Sequence, residues 1–143
     1  MRTRPELTRP DAQIYFINFS SAQRGGVLHP IRASPARCRR CRSSRAARSH
    51  IRSRDRPSAP AIRYNYLATE NDRRVMVDGL KFVRRICSDA ADARLRRAAS
   101  FFPATRCKSD EDWLDYCREY GETVFHPTST CRIGSVVDDA AAA

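Results

Sequence analysis

Ten residues, Phe125-His126-Pro127-Thr128-Ser129-Thr130-Cys131-Arg132-Ile133-Gly134, set an imidazole before a proline and ahead of a Thr-Cys-Arg-x-Gly turn. A histidine side chain exchanges a proton near neutral pH, which makes a positioned histidine the commonest general acid or base. His126 is therefore the candidate catalytic residue. The bland alternative is a loop histidine that only caps or packs. Arg132 has two readings, an ion-pair or phosphate-facing group and a solvated side chain. Cys131 reads as a packing residue, because a reactive thiolate needs an accessible, electropositive setting. Cys38-x-x-Cys41 supplies half of a zinc ligand set, but zinc needs two further ligands at suitable spacing. His50 lies nine residues on, Cys87 is remote, and there is no second such pair. No metal site is assigned.

These residues need elements to hold them. Ala12 to Phe19 is rich in β-branched and aromatic side chains on both faces, the pattern of a strand covered on each side. Thr69-Glu70-Asn71-Asp72 offers a capping hydroxyl with an acid three residues on, and so predicts a helix start at Thr69. Met76, Leu80, Val83 and Cys87, widened by Phe82 and Ile86, then form an apolar stripe at helical spacing over roughly four to five turns. Gly79 weakens that helix by ~1 kcal/mol relative to alanine unless a close neighbour needs the space. Ser88 and Asp89 end it or start a short helix through Leu95-Arg96-Arg97, and Phe101-Phe102-Pro103 reads as a loop anchor. Ser109-Asp110-Glu111-Asp112 repeats the capping signature. Trp113, Cys117 and Tyr120 follow as a second stripe, with Leu114 beside it and Gly121 as a C′ stop. Thr123-Val124-Phe125 is a short extended approach to His126. The expected core is Ile14, Met76, Leu80, Val83, Trp113 and Cys117.

The chain has 143 residues and a net charge of +11, which taken whole suggests nucleic acid or an acidic surface as partner. Its distribution changes that inference. Residues 31–57 hold ten arginines against one acid, Asp55, so nine of the eleven net charges lie there. That stretch carries almost no large apolar groups to offset the entropy of ordering and is expected to be disordered or a long exposed loop. It fits either an insertion or a stretch translated from a shifted frame of GC-rich DNA. No apolar run approaches the ~20 residues that span a bilayer, so no transmembrane segment is expected. The opening Met1-Arg2-Thr3-Arg4-Pro5-Glu6 lacks the apolar region of a signal peptide. With reducing cytosol as the default, the six cysteines are expected as free thiols and the location as cytoplasmic.

Four pieces in order resemble one family: Arg9-Pro10-Asp11-Ala12-Gln13-Ile14-Tyr15-Phe16, Pro60-Ala61-Ile62 with Asn65-Tyr66-Leu67, Asp72-Arg73-Arg74, and His126 to Gly134. Together they are similar to the carboxy-terminal region of the glucose-methanol-choline (GMC) oxidoreductases, with a choline-dehydrogenase-like flavour. The resemblance covers residues 5–30 and 58–138 and fails over 31–57, where the family has a pair of strands. It implies an α+β fold, part of a flavin-enzyme substrate domain with antiparallel strands and helices. The implied division is a strand-bearing part (1–30), the Arg/Ser/Cys-rich segment (31–57), a helical part with the histidine motif (58–138) and a tail (139–143).

The resemblance also implies FAD as cofactor, a small alcohol as substrate and His126 beside the flavin as acid/base for the substrate hydroxyl. Two features depart from the pattern. The chain's five glycines, at 25, 26, 79, 121 and 134, form no G-x-G-x-x-G dinucleotide motif. The family's second catalytic histidine or asparagine, some tens of residues past the first, is also absent. The resemblance thus points to a fragment that is inactive alone, with no specific nucleic acid as partner. The alternative from another class is a basic, non-enzymatic module that binds nucleic acid or a partner through residues 31–57.

Overall fold

The computed structural model describes residues 1–17, 36–41, 47–55, 58–89, 106–123, 125–126, 133–134 and 137–140. Four strands and two helices run in the order β1 (Ala12–Phe16), β2 (Ala36–Arg40), β3 (Arg48–His50), β4 (Ala61–Arg63), α1 (Glu70–Asp89) and α2 (Asp110–Tyr120). The strands form two antiparallel pairs, β1 with β2 and β3 with β4. Two small antiparallel sheets beside two helices make an α+β arrangement, as expected.

The arginine tract carries the main correction. Residues 36–40 and 48–50 are strands, although the arginine tract is expected to lack regular structure. Hydrophobic content misleads there, because β2 is held by its neighbours. Ile14 stands opposite Cys38, and Ala12 opposite Arg40. Alternate residues of a strand share a face, and Cys38 and Arg40 both meet α1. Arg40 forms an ion pair with Asp72 in the first turn of α1, with both side chains largely buried. The Arg37 guanidinium reaches Glu122, just past α2, at 3.6 Å. Arginine thus acts here as a strand residue with specific carboxylate partners.

The close neighbour that Gly79 requires is Cys38. A Cβ on Gly79 would run into the Cys38 sulfur, with the Ala12 Cβ 3.9 Å away. Replacing a helical glycine by alanine ordinarily gains about 1 kcal/mol. Overpacking typically costs about 1–3 kcal/mol, so Gly79→Ala should be net destabilising. Adding Cys38→Ala should restore stability to at least the native level. Denaturation midpoints for the single and double variants check this.

Helix α1 starts where the capping pattern puts it: the Asp72 N–H donates to the Thr69 hydroxyl at 3.1 Å. Its buried residues are Asp72, Val75, Val77, Gly79, Val83 and Cys87. Val83 and Cys87 match the expected stripe, while Met76, Leu80, Phe82 and Ile86 are only half-buried. The stripe is rotated because α1 has two packing partners. Asp72 and Gly79 meet β2, whereas Val77 and Leu80 join Trp113, Leu114 and Cys107 against α2. A polar and a small residue occupy the sheet-facing side, which an apolar pattern does not register.

Helix α2 is capped reciprocally. The Asp112 N–H donates to the Ser109 hydroxyl, and the Asp112 carboxylate accepts from the Ser109 N–H at 2.7 Å. Trp113, Leu114 and Cys117 are buried, and Tyr120 is exposed. The Arg84 guanidinium lies 4.4 Å from the Trp113 ring centroid and donates to the Cys107 carbonyl at 2.7 Å. The Lys81 ammonium pairs with Asp110. Of the expected core, Val83, Trp113 and Cys117 are buried, while Ile14, Met76 and Leu80 are half-buried. The anchor Phe101-Phe102-Pro103 lies outside the described residues.

Candidate functional site

His126 is reached through the end of α2. The Gly121 N–H closes the helix on the Cys117 carbonyl at 3.0 Å. Gly121 is extended (φ −70°, ψ 129°) and does not take the left-handed conformation of a C′ glycine. Its lack of a side chain matters for space, because a Cβ would collide with the Cys117 carbonyl oxygen. The chain then passes Glu122, held by Arg37, and half-buried Thr123.

Phe125 does not continue an extended approach. Its φ is 57°, a left-handed value uncommon for a large side chain, and its N–H donates to the Thr123 hydroxyl at 3.1 Å. The Thr123 hydroxyl supports this bend through a short side-chain-to-backbone turn. His126 follows directly and is exposed. Farther along, Gly134 (φ 83°) donates its N–H to the Val137 carbonyl at 2.8 Å, beside a bridge between Ile133 and Val137. Cys131 and Arg132, which sequence placed with His126, lie outside the described residues.

The thiols have a different character. Cys38, Cys87, Cys107 and Cys117 sit within the packed interior or at its edge, Cys41 is exposed, and none is in a disulfide. Burial, with the neighbouring Cys117 and Cys41, pushes the Cys38 thiol up to about 11. Burial and then Cys107 push Cys117 up to about 11. Burial, with Cys107 and Cys117, likewise pushes the Tyr116 hydroxyl up to about 12. These groups stay protonated at neutral pH, the state of packing thiols and not of nucleophiles. Cys38 turns to Gly79 and Cys41 to the surface, while His50 belongs to the other sheet. Among the described residues no three potential ligands gather to hold a metal.

The motif residues Asp72 and Arg73 have structural partners. Asp72 is engaged by Arg40, and the Arg73 guanidinium donates to the Leu67 and Ala68 carbonyls at 3.1 Å each. Those bonds support a loop in which Asn65 and Leu67 have φ of 50° and 56°. One feature the sequence reading missed is the stacked Tyr64–Tyr66 pair, with centroids 5.3 Å apart and planes at 17°. Its signal was the Tyr-x-Tyr spacing around a turn-forming asparagine.

Comparison with known proteins places the chain. The family model for GMC oxidoreductases matches residues 43–142, including part of the arginine tract where the motif resemblance lapsed. The oxygen-dependent choline dehydrogenase of Pseudomonas fluorescens (strain Pf0-1) is 33% identical over 136 residues, covering 94% of this chain and 24% of that protein. The oxygen-dependent choline dehydrogenase of Cronobacter sakazakii (strain ATCC BAA-894) is 30% identical over 145 residues, covering 97% and 25%. The chain thus spans about a quarter of the length of these curated relatives. No solved structure matches. With the match running through both helices and the His126 segment, the chain belongs to the GMC oxidoreductase family and corresponds to its carboxy-terminal domain.

Proposed function

We propose that this chain is a piece of an FAD-dependent, choline-dehydrogenase-like alcohol oxidoreductase, and that His126 is its acid/base toward the hydroxyl of a small alcohol. The observation carrying the reading is the His126 segment: a family-matched stretch in which a left-handed residue precedes an exposed imidazole. A neutral ring nitrogen there can accept the hydroxyl proton of a CH–OH group, which makes the carbon-bound hydrogen easier to remove as hydride. The free thiols are in keeping with a reducing, cytoplasmic setting. No helix among the described residues is long and apolar enough to cross a membrane.

The described residues do not fit FAD by themselves. A dinucleotide is held by a helix N-terminus whose free N–H groups and positive dipole end receive the pyrophosphate. Here both helices open with acids, Glu70 and Asp72 in α1 and Asp110, Glu111 and Asp112 in α2. Asp72 is taken by Arg40, the exposed acids repel phosphate, and Thr69 and Ser109 already accept from first-turn N–H groups. No hydride step is therefore assigned to this chain alone.

The purified chain, incubated with excess FAD and desalted, should retain no flavin absorbance and oxidise no choline. A yellow preparation that converts choline would overturn the view that the chain is an inactive piece.

A further inference from the structure

The strands β3 and β4 make a small ribbon with little of its surface covered. All three residues of β3 and two of three in β4 are exposed, and Ile51 just beyond β3 is 88% exposed. The register sets Arg48 directly opposite Arg63. Like charges in directly opposed positions destabilise a strand pair, so the ribbon keeps this pair at a cost. Arg52 and Arg54 follow β3, and none of these four arginines makes an ion pair among the described residues. Asp55 is the sole acid between residues 47 and 66, and its carboxylate accepts from the Ser53 hydroxyl. Directly after β4 comes the Tyr64–Tyr66 stack, with both rings exposed.

We propose that this ribbon binds single-stranded nucleic acid without sequence preference, the arginines taking phosphates and the stacked tyrosines taking a base. Two independent observations converge on that ligand. Unpaired guanidinium groups on an open ribbon match a line of phosphates, which they meet with directed N–H donors. An exposed aromatic face next to them matches a nucleobase, since base–aromatic stacking is sequence-tolerant and strong. The arginine tract as a sequence lacks aromatics. The fold supplies them by pairing β3 with the strand that leads into Tyr64. The proposal uses none of the residues around His126 and stands apart from the oxidoreductase reading.

The test is fluorescence anisotropy of a labelled oligothymidylate titrated with the intact chain at two salt concentrations. With about four phosphate contacts, binding should weaken about 50-fold from 50 to 200 mM salt. Arg48→Ala/Arg63→Ala should reduce the salt dependence by about two contacts. Tyr64→Ala/Tyr66→Ala should weaken oligothymidylate binding about tenfold or more and leave binding of base-free polyphosphate unchanged. All four positions are exposed, and unchanged circular dichroism verifies that the variants fold. Equal oligothymidylate affinity for native chain and tyrosine variant would overturn the proposal, as would the absence of binding at 50 mM salt. Tighter binding to anionic vesicles than to oligothymidylate would overturn it in favour of a membrane surface.

Discussion

Arg40→Ala should lower the stability of this chain by about 3–5 kcal/mol and move its denaturation midpoint sharply down. The substitution leaves the Asp72 carboxylate, 3% exposed, without the guanidinium that neutralises it. Breaking a buried pair from one side costs about 3–5 kcal/mol, because an uncompensated charge remains in the interior. Domains of this size have only about 5–15 kcal/mol in total, so the loss is a large share. The helix dipole favours an acid in the first turn of α1, but it cannot substitute for a direct partner. Trp113, the chain's single tryptophan and almost fully buried, reports the transition by its fluorescence in urea. Arg40→Met with Asp72→Leu should recover most of the loss, since an apolar replacement of both partners removes the stranded charge. An unchanged midpoint for Arg40→Ala would mean that the Arg40–Asp72 pair contributes nothing to the fold.

That variant also marks where the sequence was readable and where it was not. Helix starts were legible because capping is local chemistry: Thr69 and Ser109 accept from residues three positions on, as their spacing dictates. The buried positions of α2 at Trp113, Leu114 and Cys117 were legible for the same reason, since one apolar stripe met one partner. The stripe of α1 was only partly legible. Its sheet-facing side uses Asp72 and Gly79, whose burial depends on Arg40 and Cys38 far away in the chain.

The strand β2 was illegible because its partners are long-range. An Arg-Cys-Arg-Arg run has no apolar alternation, and only pairing with β1 and the carboxylates of Asp72 and Glu122 make it a strand. At the candidate site the histidine was readable from its motif, and the bend that presents it was not. A left-handed phenylalanine carries no sequence signal, whereas Gly134 at φ 83° carries the usual one.

The central claim is that this chain carries a family member's acid/base at His126, and activity in a complete enzyme tests it most directly. The corresponding quarter of a choline dehydrogenase relative should be replaced by residues 1–138 of this chain. The arginine tract must be included, since β2 is part of the packing around α1. The measurement is the anaerobic rate at which choline bleaches the bound flavin, with and without His126→Ala. A general base contributes about 100-fold or more, so the alanine chimera should be slower by at least that factor while retaining its flavin. The deficit should shrink as pH rises, because hydroxide and pre-formed alkoxide then take over part of the base's task. A chimera that bleaches equally fast with alanine at position 126 would contradict the account and leave His126 a structural residue of its loop.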